Sequence, residues 1–213
     1  ALAQDKPLDM VIARWTGDKN AFEELAVKMT KEAIENLGGM KRFVSKGDVV
    51  WVKPNIGWDR TPEQSANTNP DVVKTLVQLC LDAGAKTVKV GDNTCNPAEK
   101  SYVTSKIADA TRNAGGEVVF LDKNRFRDME INGESLKTHP VYPEIVECDL
   151  VINVPVAKHH SLARITCCMK NYMGVIENRQ RFHQNLPVCI ADITAFMKPR
   201  LCVLDAIRIL TAS

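Results

Sequence analysis

"TNPDVVKTLVQLCLDAGAKTVKVGD", residues 68–92, decides the fold class. Its first half is punctuated as a helix. Asn69 is placed to cap the first turn, Pro70 suits the first helical position, and Gly84 follows the last turn. Its second half, "KTVKV" (86–90), reads as a strand that runs into Gly91-Asp92. Another strand, "DVVWV" (48–52), lies upstream. Strand, helix and strand in this order make a parallel β–α–β unit.

The alternation continues outward in both directions. "LDMVIA" (8–13) reads as a strand. "AFEELAVKMTKEAIENLGG" (21–39) reads as a helix, with Phe22, Leu25, Ala26, Met29, Ala33, Ile34 and Leu37 on one face and Gly38 as its cap. Downstream come a helix reaching about Gly115, a strand "EVVFL" (117–121), and a hairpin in "RDMEINGESLKT" (127–138) around an Asn-Gly turn. A strand "DLVINV" (149–154) comes next, then a helix "PVCIADITAFM" (187–197) stopped by Pro199, then a strand "RLCVL" (200–204). "DAIRILTAS" trails off without a closing helix, so the domain is expected to continue beyond Ser213. The pattern predicts an α/β fold, a single domain over residues 1–213 with a mostly parallel sheet covered by helices on both faces. Its layering is Rossmann-like, yet no G-x-G-x-x-G or G-x-x-x-x-G-K-[ST] phosphate loop occurs, and no G-x-S-x-G elbow.

Composition narrows the function. Hydrophobic residues make up 45% and charged residues 25% of 213, a globular balance. A formal net charge of +2 argues against a protein that coats nucleic acid. No apolar run approaches the roughly 20 residues of a membrane-spanning helix. Ala1-Leu2-Ala3 before Gln4 fits the small-x-small pattern of a signal-peptidase site, so export, as to a periplasm, is expected. Seven cysteines occur, without a C-x-x-C pair, and the odd count argues against a full disulfide framework. Cys80, Cys189 and Cys202 sit in apolar patterns and read as packing residues.

In open α/β sheets ligands bind beyond the carboxyl ends of the strands. The residues just past the strands are Lys53-Pro54-Asn55, Gly91-Asp92-Asn93, Asp122, Lys158-His159-His160 and Asp205. From Leu150 to Ala191 the only acidic residue is Glu177, against Lys158, Arg164, Lys170, Arg179 and Arg181. Such a field attracts phosphate or carboxylate, and arginine binds two oxygens of such groups together. His159 and His160, adjacent in an extended segment, point to opposite sides and so do not chelate one metal together. His159 is the candidate for proton transfer, with Asp92 to orient or accept a proton, and His183 is a further candidate.

Cys167-Cys168 has three readings: packing residues, a vicinal disulfide, or cluster ligands together with Cys95 from "GDNTCNP". If "TCCMKN" is helical, Cys167, Lys170 and Asn171 share a face. Cys167 would then look into the site as the more reactive thiol, and Cys168 would pack inside.

"WVKPNI", "TNPDVVKTLVQLCLDAGAKTVKVGD", "CDLVINVPVAKHH", "MKNYMGVI", "RFHQN" and "ADITAFMKPRLCVLDAI" together resemble the family called domain of unknown function 362, from about Val49 to Ala206. The resemblance implies matching sites at Lys53, Asn55, Lys158, His159, Lys170, Asn171 and His183. It also implies Tat export for many members, and iron–sulfur modules fused to some; this chain has no such module.

Three expectations emerge. The first is an enzyme or binding protein for an anionic small molecule. It would use Lys158, His159 and Asp92 for chemistry, with Lys53, Asn55, Asn93, His160, Lys170, Asn171, Arg179 and His183 lining the site. The second is a redox protein whose Cys95, Cys167 and Cys168 hold an iron–sulfur cluster or other metal, served by a redox partner. The third is a non-catalytic subunit or assembly protein, including a homo-oligomer.

Overall fold

The computed structural model describes residues 8–17 and 22–212; Ala1–Gln4, where the export reading falls, and the Phe22 side chain lie outside the described residues. The chain opens with α1 (Phe22–Asn36), β1 (Val49–Pro54), α2 (Pro70–Asp82) and β2 (Thr87–Val90). Then come α3 (Ala98–Thr104), α4 (Ile107–Asn113), β3 (Glu117–Val118), and the hairpin β4 (Arg127–Glu130) with β5 (Thr138–Val141). After α5 (Pro143–Val146) come β6 (Leu150–Val154), β7 (Val156–His160), β8 (Arg164–Thr166) and α6 (Cys168–Asn171). The chain closes with α7 (Leu186–Met197), β9 (Leu201–Cys202) and β10 (Asp205–Leu210).

The main sheet has the order β3-β2-β1-β6-β9, and its pairings are parallel. β1 lies at its centre. The chain adds β2 and β3 on one side, then returns to add β6 and β9 on the other, so the winding reverses between β1 and β6. Such a reversal leaves a crevice at the carboxyl ends of the two strands.

Strand residues alternate between the faces, and each face has its own core. Val50, Val52, Val88, Val90, Leu150 and Ile152 pack with Ala26 and Ile34 of α1, Val73, Leu76 and Val77 of α2, and Ile107 of α4. Trp51 faces the other way, against Tyr142, Ile145, Tyr172, Phe182 and Ile193. α2 starts as its sequence dictates, with the Asn69 side chain accepting from the Asp71 N–H at 2.8 Å. Asn69 N–H in turn donates to Asp205 at 2.8 Å, tying this helix start to the far end of the chain.

Four expectations are corrected. Leu8–Ala13 is no strand: Leu8, Met10 and Ile12 are exposed, and the Leu8 carbonyl accepts from Arg42 rather than from a strand neighbour. The helix expected up to Gly115 is two helices, broken where Lys106 takes a left-handed conformation at φ 63°. The "EVVFL" strand stops at Val118. Asp205–Leu210 does not trail off but forms β10, parallel to β7, in a second sheet of order β10-β7-β8. The Asn132-Gly133 hairpin forms as expected, pairing Arg127–Glu130 with Thr138–Val141.

Candidate functional site

The face of the sheet that buries Trp51 turns polar at the carboxyl edge. Lys53 of β1 lies beside Asn153 of β6, and Asn153 beside Cys202 of β9, in one row across three strands. Two residues earlier the same face carries Trp51 and Val151, both packed in the core. The change from apolar to polar therefore falls on the crevice between β1 and β6.

Lys53 is fully buried, and its ammonium meets the Asp92 carboxylate at 2.6 Å. Burial pushes the Lys53 pKa down, while Asp92 pulls it back up. The second Asp92 oxygen accepts from Ile56 N–H at 2.7 Å, and the Asp92 backbone is clamped by the Tyr102 hydroxyl. Gly174 closes over this pair. A Cβ at Gly174 would stand 1.8 Å from Asp92 Oδ1 and 2.5 Å from Lys53 Nζ, so only glycine lets the backbone approach.

An amide chain leads outward from that pair. Asn171 Nδ2 donates to Asn153 Oδ1 at 2.8 Å, and Asn171 Oδ1 accepts from Asn55 Nδ2 at 3.0 Å. Asn55 Oδ1 then accepts from Lys158 Nζ at 2.9 Å, and Lys158 also donates to the Ala66 carbonyl. Thr68 holds the loop in place, accepting from Asn55 N–H and donating to the Val154 carbonyl.

On the other side Arg179 donates to the Met173 carbonyl at 3.0 Å, to the Asn93 carbonyl, and to Cys95 Sγ at 3.1 Å. The Asn93 side chain donates to the Ile176 carbonyl and to Glu177.

Positive charge accumulates here. Lys158 is pushed down to about 8, by burial first and then by Lys170. Lys170 is lowered by burial and by the cations Arg179 and Lys53. Among the described residues, Lys158, Lys170 and Arg179 form no ion pair with a carboxylate. His160 is lowered by burial, then by Lys170 and Lys158, and its Nδ1 accepts from the Leu162 and Ala163 amides. That leaves Nε2 as the protonated nitrogen of the neutral ring, a donor. His159 is half-buried and pairs with Ile165 across β7 and β8. His183 is exposed, and it bears on the site through His160.

The structure thus brings together Lys53, Asn55, Asp92, Asn93, Cys95, Lys158, Lys170, Asn171 and Arg179, with His160 at the margin. It does not gather Cys95, Cys167 and Cys168 into a ligand set: among the described residues no three His, Cys, Asp or Glu side chains stand close enough to hold a metal ion. The helix at this point begins only at Cys168, leaving Cys167 extended at its cap, and burial raises the Cys167 thiol rather than favouring a thiolate. Cys168 adjoins Cys202 instead. Cys80 and Cys189 are buried as expected, but Cys202 is exposed and belongs to the polar row.

Sequence reasoning missed Asn153, Thr68 and Gly174. Asn153 had a signal, an amide inside the apolar run "LVINV", where strands seldom place asparagine.

This arrangement defines a class: an α/β protein with a cation-lined crevice at the switch point of a parallel sheet. Residues 50–213 match the family described as a domain of unknown function (DUF362), and the chain belongs to that family. A "Thylakoid-associated protein" of Synechocystis sp. is 30% identical to the chain over 155 residues, 70% of this chain and 45% of that protein. The chain thus spans less than half the length of the curated relative it matches. No helix among the described residues is long and apolar enough to cross a membrane.

Proposed function

We propose that the crevice binds a small molecule bearing phosphate or carboxylate groups. One observation carries this reading: Lys158, Lys170 and Arg179 converge on the switch point without an ion-pair carboxylate among the described residues. Cations held together at a partly buried site repel one another, and an anionic ligand relieves that repulsion. Asp92 is engaged by Lys53 and the Ile56 amide, so it serves as the anchor of the site. Lys158, lowered to about 8, is the group best placed to give or take a proton, with the His160 Nε2–H as a neutral donor beside it.

The test is a calorimetric titration of the chain with inorganic phosphate, pyrophosphate and citrate. At least one should bind, and both Lys158→Ala and Lys170→Ala should weaken it. Equal affinity in wild type and both variants would remove the assignment.

A further inference from the structure

Cys168 and Cys202 come from two different elements of the fold. Cys168 opens α6, and Cys202 lies on β9, the edge strand of the main sheet. Each thiol lies within electrostatic reach of the other. Asn153 fixes both at once, since its Nδ2 donates to the Cys168 carbonyl at 2.8 Å and to Cys202 Sγ at 3.6 Å. The Tyr172 hydroxyl is buried without a hydrogen-bond partner among the described residues and lies within electrostatic reach of Cys202. All seven cysteines are free, and Cys202 is exposed to solvent.

We infer that Cys168 and Cys202 form a reversible disulfide, with Cys202 as the attacking thiol and a small-molecule disulfide as the oxidant. The inference is independent of what the crevice binds. Cys202 carries the features of an attacking thiol. The Cys168 thiol stabilises its thiolate most, burial opposes this, and Asn153 and Tyr172 add support, so Cys202 falls to about 6. The Cys168 thiol is raised, by Cys202 first and then by burial, so of the two it is Cys168 that keeps its proton.

The chemistry balances as two exchanges. The Cys202 thiolate attacks one sulfur of the oxidant RSSR, forming Cys202–S–SR and releasing RS⁻. Cys168 then loses its proton and attacks the Cys202 sulfur, forming the Cys168–Cys202 bond and releasing the second RS⁻. Two electrons pass from the two cysteines to RSSR, and the two thiol protons end on two RSH. β9 pairs with the sheet along one side only, through Leu201 and Cys202, so closing the bond displaces little structure. Cys167, one residue away, has an extended backbone and a thiol raised by burial, and it lacks the Asn153 contact.

The test uses the reduced chain and hydroxyethyl disulfide, followed by alkylation and non-reducing peptide mapping. The expected product links the peptide containing Cys167 and Cys168 to the peptide containing Cys202. It should form in wild type and in Cys167→Ser, be absent in Cys168→Ser and Cys202→Ser, and revert on adding dithiothreitol. Cys95→Ser, which removes another exposed thiol, should leave it unchanged. A Cys167–Cys168 link, a mixed disulfide that persists on Cys202 in the wild-type chain, or both residues recovered alkylated and unlinked would each overturn the inference.

Discussion

Asp92 and Asp192 are both buried carboxylates, and their surroundings differ in kind. Asp192, on α7, accepts from the amides of Glu134, Ser135 and Leu136 at 2.9, 2.8 and 2.9 Å. Burial works against its charge, yet those amides outweigh it and hold the carboxyl below its ordinary range. That charge has its answer inside the protein, and the result is a hairpin pinned to a helix. Asp92 sits near Lys53, Lys158, Lys170 and Arg179, and among the described residues its ion pair is with Lys53. A structural charge is matched within the fold, whereas under the proposed function the surplus at the crevice is matched by an anion from outside it.

The largest effect should come from breaking the Lys53–Asp92 pair. Asp92→Ala leaves a fully buried ammonium without its counter-charge, and urea denaturation should show a loss of about 3–5 kcal/mol. Gly174→Ala should be comparably damaging, because its Cβ would collide with Asp92. Asp192→Ala should cost less, on the order of 1–3 kcal/mol, since it leaves neutral amides, rather than a buried charge, without their partner. A larger loss for Asp192→Ala than for Asp92→Ala would break the comparison.

Ligand affinity should separate the two regions more sharply. Lys170→Ala should weaken binding of the best anion from calorimetry about tenfold, roughly 1.4 kcal/mol. Asp192→Ala, measured where it is folded, should leave that affinity unchanged. Raising the salt should weaken wild-type binding further, though modestly, because the cations are partly buried.

The smallest effect is on stability as pH changes. Lys158 titrates at about 8 when folded and at about 10.5 when unfolded. Between those values the unfolded chain holds more protons, so the Lys158 contribution makes the ligand-free protein more stable as pH rises. Comparing wild type with Lys158→Met by urea denaturation across that window should reveal a steeper rise in wild type, because Lys53 and Lys170, also lowered, contribute to both.

How much of this was legible depended on whether a signal was local. The helix over 70–82 was readable because Asn69, Pro70 and Gly84 mark its ends within the sequence itself. Lys53, Asp92 and Lys158 were readable because strand ends are where such folds place their ligands. Leu8–Ala13 misled because alternation alone cannot say whether a neighbouring strand exists to pair with it. Cys202 misled for a related reason: "LCVL" reads as core, but β9 is a two-residue edge strand whose cysteine faces the polar row. Asn153 and Gly174 act through groups from distant parts of the chain, so no local pattern could assign their roles. The identity of the anion is written in no pattern of these residues.

The central claim is that the surplus charge, Lys158 above all, receives an anion. Proton uptake tests this most directly. Near pH 8 Lys158 is about half protonated, and a bound anion must raise its pKa and draw in protons. Calorimetric titrations in two buffers of different ionisation enthalpy, using the anion that binds best, measure that uptake. The account predicts net proton uptake near pH 8 that is clearly smaller in Lys158→Met. Binding without proton uptake, or with the same uptake in Lys158→Met, would contradict it.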